Sequence, residues 1–154
     1  MNLAPSASAF QLSDRFLLHG HGRTRHGLIL AHEPFLVLPP SAAAGELGSA
    51  VLSAFAAYQP LVPDPVDFKA LSKPILKAAG VSSFRKFQHA SLHCSIVCLP
   101  DFIEVRASHA ESRGHAYTDF HLDIPLNSSA EVIGATLLRV FDSCTSDFSN
   151  AGNA

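Results

Sequence analysis

Apolar and polar positions follow two rhythms along this chain, and the rhythms alternate. In "SLHCSIVCL" the residues Leu92, Cys94, Ile96 and Cys98 recur at every second position, the spacing of a strand with one buried face. Pro100 and Asp101 then make a turn, and "FIEVRAS" returns, which predicts a hairpin. In "YTDFHLDIP" the residues Phe120, Leu122 and Ile124 point one way and Asp119, His121 and Asp123 the other. Nearer the start, "RFLLHG" and "HGLILAH" read as short strands flanking the loop "GHGRTR". "PFLVLPP" is apolar on both faces, as in a strand covered from both sides.

Between these stretches the period lengthens to that of a helix. Leu47, Val51 and Phe55 predict one from about Ala42 to Tyr58, and Ile133, Leu137 and Phe141 predict the last one, with Ser128 and Glu131 as its capping box. "DFKALSKPILKAAG" reads as a helix with Pro74 near its start and Gly80 as a left-handed C-terminal cap. A short helix in "SSFRKFQHA" would bury Phe84 and Phe87. The proline-rich "QPLVPDPVD" reads as a connector.

One script is written twice. "FLVLPPSAAAGELGSAVLSAF" and "HLDIPLNSSAEVIGATLLRVF", 86 residues apart, match without a gap at Leu36/Leu122, Pro39/Pro125, Ala44/Ala130, Gly48/Gly134, Leu52/Leu138 and Phe55/Phe141. Average residue usage would give about one or two such identities. The expected fold is therefore a single α/β domain, a mixed and largely antiparallel sheet with helices packed on it, with an internal strand-helix duplication suggested. Gly48 and Gly134, mid-helix in both copies, would allow close packing against the sheet. The domain is expected over residues 1–145, with 146–154 a disordered tail.

Composition narrows the function classes. With 47% hydrophobic and 16% charged residues in 154, one proper core can form. No apolar run approaches the roughly 18 residues of a membrane span, so a soluble cytoplasmic protein with no membrane partner is expected. Cys94 and Cys98 lie about 13 Å apart along a strand, too far to bridge, and read as reduced core thiols. The net charge of −2 hides a division: residues 1–89 carry eight Lys/Arg against five Asp/Glu, and residues 90–154 three against eight. Lys69, Lys73, Lys77, Arg85 and Lys86 are too few for a nucleic-acid face, so no direct nucleic-acid partner is expected.

Nine histidines raise the question of chemistry. "HGHGRTRH" offers His19, His21 and His26, and an H-x-H pair on a strand can chelate a metal, but a convergent third ligand at a recognised spacing is missing. A nucleophile elbow, a phosphate loop and a dinucleotide fingerprint are also missing. Asp119 and Asp123 share a strand face about 13 Å apart, wider than paired glycosidase carboxylates. No metal, cofactor or small-molecule ligand is expected. The alternative kept beside this is a small metal-dependent or nucleotide-processing enzyme using the histidine loops. The loop "HAESRGHA" carries His109, Glu111, Arg113 and His115 and suits recognition of a partner.

From about residue 74 to 144 the chain resembles a family of immunity proteins from bacterial contact-dependent growth inhibition systems. The resemblance rests on Gly80, Val81, Ser83 and Phe84, then Ser91 to Cys98, Phe102 to Arg106, and finally Ser129, Glu131, Ile133, Gly134, Leu137 and Leu138. The family usually has a more basic segment where this chain has "RASHAESRGHAY". What the resemblance implies is a non-enzymatic cytoplasmic protein that binds and neutralises the C-terminal toxin domain, commonly a nuclease, of an exported effector. Exposure and charge, rather than the family motif, nominate the contacts: Asp101, Glu104, Arg106, His109, Glu111, Arg113, His115, Tyr117, Asp119 and Asp123.

Overall fold

The computed structural model describes residues 4–111 and 114–145. In chain order the elements are β1 (Ser6–Gln11), β2 (Phe16–Thr24), β3 (Ile29–Leu38), α1 (Ala44–Ala56), β4 (Gln59–Val62), α2 (Phe68–Ala79), α3 (Phe84–Ala90), β5 (Leu92–Cys98), β6 (Phe102–Glu111), β7 (Gly114–Pro125) and α4 (Ala130–Phe141). The strands form one sheet in the order β3-β2-β1-β5-β6-β7, antiparallel throughout, with β4 parallel to the far end of β2. The expected α/β domain, with a mixed, largely antiparallel sheet and helices packed on it, is what forms.

Helices α1 and α4 lie side by side on the inner face. Leu47, Val51, Ile133 and Leu137 meet Leu18, Ile96 and Val105 there, all fully buried, each side chain contributing about 1.5–3 kcal/mol of burial. The period-two reading of β5 holds, since Cys94 and Ile96 are in this core and Leu92 and Cys98 pack against it. The two repeat glycines face each other's helix and not the sheet. A Cβ on Gly48 would overlap the Ala130 carbonyl oxygen, and one on Gly134 the Ala44 carbonyl oxygen, so the crossing is reciprocal.

The duplication extends beyond the segment legible in the sequence. β1-β2-β3-α1 and β5-β6-β7-α4 have the same order and occupy opposite sides of the sheet centre. The hairpin turns are equivalent: Leu12 N–H donates to the Arg15 carbonyl, and Leu99 N–H to that of Phe102, an offset of 87 residues. From β3 and β7 onward the offset is 86, because the pair Leu17/Val37 corresponds to Glu104/Asp123 and His19/Phe35 to Arg106/His121. Ser8 pairs with Ser95, its own counterpart, which puts the pseudo-two-fold between β1 and β5. Among the described residues β4 is answered by the isolated parallel bridge His109–Thr145, and α2 and α3 have no counterpart. They cover the outer face of the first half, where Ile75, Ala79 and Phe87 pack on Phe10 and Leu17.

Local expectations are corrected in several places. β2 runs unbroken through His21 to Thr24, so "GHGRTR" is mostly strand; the turn lies beyond it, where Thr24 N–H donates to the Leu28 carbonyl and Gly27 has φ 86°. "HGLILAH" and "PFLVLPP" belong to one strand, β3, at the sheet edge, where Pro34 removes no needed donor and Val37 is exposed. The connector contains β4. Pro74 lies inside α2, which begins earlier because the Asp67 carboxylate accepts from Lys69 N–H; Gly80 is the left-handed cap, φ 73°. In α3 Phe87 is buried while Phe84 is exposed. The cap of α4 is Ser129, which accepts from Val132 N–H, while Ser128 donates to the Pro125 carbonyl. "HAESRGHA" is mostly the extended ends of β6 and β7. Phe120 misses the core because the β6–β7 register shifts between Arg106 and Ser108. The expected tail, 146–154, lies outside the described residues.

Candidate functional site

The outer face of the sheet has two zones. Over β6 and β7 it is charged. Arg106 Nε donates to Glu104 Oε1 at 2.9 Å and its Nη1 to the Thr118 carbonyl at 2.9 Å. Opposite, the His121 ring nitrogen Nδ1 is 2.9 Å from Asp123 Oδ1. Glu104 pairs across strands with Asp123 and Arg106 with His121, and the Arg106 guanidinium, bonded to Glu104 and within the field of Asp123, offsets the like charges of the two carboxylates. A hydrogen bond to Glu104 and the fields of Glu104, Asp119 and Asp123 raise the Arg106 pKa against its desolvation. Glu104 is pinned, at 19% side-chain exposure, whereas Asp123 at 40% is available from solvent.

The ten nominated residues divide between locations. Glu104, Arg106, Tyr117, Asp119 and Asp123 share the open outer face. Alternation sends His109 and Glu111 to the helix side, where His109 Nε2 lies 3.2 Å from Glu111 Oε1 and Ala110 N–H donates to the Thr145 carbonyl. Asp101 sits in the β5–β6 turn, exposed. His115 turns toward the sheet centre, 5.3 Å from the His93 ring. Arg113 lies outside the described residues.

The second zone was not anticipated. A line of serines and histidines crosses β2, β1, β5 and β6, and its hydrogen positions follow from one end. Ser108 donates its only hydroxyl hydrogen to the His93 carbonyl at 2.7 Å, so His93 must donate from Nδ1 to Ser108 Oγ at 2.9 Å. His93 Nε2 is then an acceptor, and takes the Ser8 hydroxyl at 3.2 Å. Ser8 Oγ accepts from His21 Nε2–H at 2.9 Å, and His21 Nδ1 accepts from Ser6 at 2.6 Å. Ser6 and His93 are equivalent under the repeat, as are His21 and Ser108, so the same bond recurs with its residue types exchanged.

Every imidazole in this line is neutral. Desolvation pulls His93 well below the ordinary value, aided by the neighbouring histidines, and takes His21 to about 4, aided by His19. Both His21 nitrogens are engaged by serines, which removes it as a ready chelator with His19. Among the described residues one group, Glu104, His121 and Asp123, has potential ligand atoms within 4.8 Å of one another. Glu104 Oε1 already accepts from Arg106, and Asp123 Oδ1 already lies against His121 Nδ1. The arrangement is an ion-pair network.

No family model and no curated protein sequence matches this chain. Solved structures do. A protein of unknown function from Neisseria meningitidis superposes with a TM-score of 0.77 at 17% identity, covering 94% of this chain and 97% of that one. A chain from the CdiA-CT/CdiI toxin and immunity complex of Yersinia pseudotuberculosis superposes with a TM-score of 0.76 at 17% identity, covering 92% and 98%. The likeness is one of fold. No helix among the described residues is long and apolar enough to cross a membrane.

Proposed function

We propose that this protein is an immunity protein that neutralises a cognate toxin domain by stoichiometric binding, in the cytoplasm of the cell that makes it. The observation that carries the reading is the shared fold, over nearly the full length of both chains, with a component of a toxin and immunity complex. The resemblance of residues 74–144 to such immunity proteins is a separate support from sequence.

The outer face of the second half is the proposed docking surface. It is the equivalent of the surface that α2 and α3 cover in the first half, and it presents Asp119 and Asp123 beside Tyr117 and the Glu104–Arg106 pair. A nuclease toxin has a basic site suited to phosphates. Exposed carboxylates would speed its capture, and an aromatic side chain such as Tyr117 would slow its release. Occlusion needs no catalysis on the part of the inhibitor.

Growth rescue tests the reading: the toxin domain encoded beside this gene is induced with and without this protein. Rescue with a one-to-one complex is expected, and failure of both removes the proposal. Asp119→Lys with Asp123→Lys should slow association about tenfold or more at low salt while the melting temperature stays nearly constant. Unchanged kinetics would move the contact off this face.

A further inference from the structure

Between the outer face of the sheet and helices α2 and α3 lies a cavity of about 490 Å³, within the range of small-molecule sites. Its walls are aromatic, with Phe10, Phe68, Phe84 and Phe87 around the rings of His19 and His93. Among the described residues no Lys, Arg, Asp or Glu lines it. Phosphates, carboxylates and divalent ions therefore have no counter-charge here, and a charged ligand would lose its hydration without recompense.

A buried ring nitrogen among the lining residues is left over. His19 is 4% exposed, and its Nδ1 donates to the Gly20 carbonyl at 2.8 Å, which makes Nε2 a bare acceptor. No hydrogen bond to that nitrogen is made by any described residue, whereas both nitrogens of His93 and of His21 are used. Every fully sealed side-chain nitrogen or oxygen among the described residues has a partner. Nε2 is therefore reachable from open space, and the residue that carries it lines the cavity. Burial also disfavours charging this imidazole, so it stays an acceptor at neutral pH.

We propose that the cavity binds a neutral planar heteroaromatic small molecule that carries a ring N–H, held between phenyl rings and donating to His19 Nε2. Such a ligand satisfies the buried open acceptor, matches the flat apolar walls and needs no counter-ion from the described lining. The exposed Phe68 and Phe84 stand at the rim, where a ligand would enter. The site is separate from the charged face and does not depend on the immunity reading.

The test uses indole and 1-methylindole, nearly equal in shape but differing in the donor. Titration into the full-length protein, followed by imidazole ¹⁵N shifts, should have indole binding about tenfold tighter and moving the His19 Nε2 resonance alone among the unprotonated nitrogens. His19→Phe should abolish the preference between the two probes. Because that variant loses a buried hydrogen bond, Phe68→Ser at the exposed rim serves beside it: it should weaken both probes equally while the preference remains. No binding of either probe, or equal binding of both to the unaltered protein, overturns the proposal.

Discussion

The two halves of the sheet share a backbone plan and treat their outer faces in opposite ways. Where the first half has Leu17, His19, Phe35 and Val37, the second has Glu104, Arg106, His121 and Asp123 at the equivalent paired positions. Leu17 is fully buried and Phe35 packs beneath α2; the second set stays in contact with solvent. On the inner face the halves agree, with Leu47 and Val51 answering Ile133 and Leu137. A repeated scaffold thus conserves the side that makes the fold and frees the other side for use. The helices α2 and α3, present once, decide which outer face is sealed.

The largest effect should come from the helix crossing, where the halves must behave alike. Gly48→Ala and Gly134→Ala each drive a methyl into the opposing backbone, and each should cost about 3 kcal/mol or more in urea unfolding. Gly45→Ala, whose added carbon would meet only the Glu131 side chain at 3.4 Å, is the near-neutral control. If one glycine tolerates alanine and the other does not, the reciprocal crossing is wrong.

Acid should separate the halves. In the folded chain His19 and His21 titrate near 4, chiefly through desolvation, against the ordinary 6.5. Between those values the unfolded chain binds protons that the folded one refuses. The stabilisation is present in full above about 6.5 and disappears as pH falls toward 4, by up to about 3 kcal/mol for a single buried histidine. Urea midpoints measured from pH 7.5 down to about 4.5 should fall accordingly, and His19→Phe should flatten the curve. An unmoved midpoint would mean that these imidazoles are not held neutral.

Ser108→Ala removes the acceptor of His93 Nδ1–H in a buried line and should cost about 1–3 kcal/mol, read by denaturant melting. The smallest effects lie at the helix starts. Ala43 begins α1 with no side-chain cap, while its equivalent Ser129 caps α4. Ser129→Ala should lose about 1 kcal/mol and Ala43→Ser gain up to a similar amount. Two changes of the same sign would break the equivalence of the two starts.

Much of the fold was readable because periodicity reports burial directly: β5 and the faces of α1 and α4 lie where alternation and the four-residue spacing put them. The duplication was half readable. A single offset of 86 fits β3 through α1, but in the hairpins the equivalence is 87, and a one-residue error in a strand turns every side chain to the wrong face. Read at 86, Phe10 falls on Ile96, an outer residue on an inner one. Among the nominated contacts, alternation gathered Asp119 and Asp123 correctly but could not see that His115 lies against His93. The serine-histidine line joins residues as far apart as Ser8 and His93, 85 positions in sequence, and local spacing carries no signal of it.

The pseudo-two-fold through Ser8 and Ser95 has the form of an isologous dimer interface: paired edge strands, and helices crossing through the same glycine on each side. Two identical chains meeting in that way would be bound by symmetry to cover both outer faces or neither. Joining the halves in one chain lifts that restriction. It lets a single copy of α2 and α3 close one face over a cavity while the other face stays charged and open, so that one small domain carries two different surfaces.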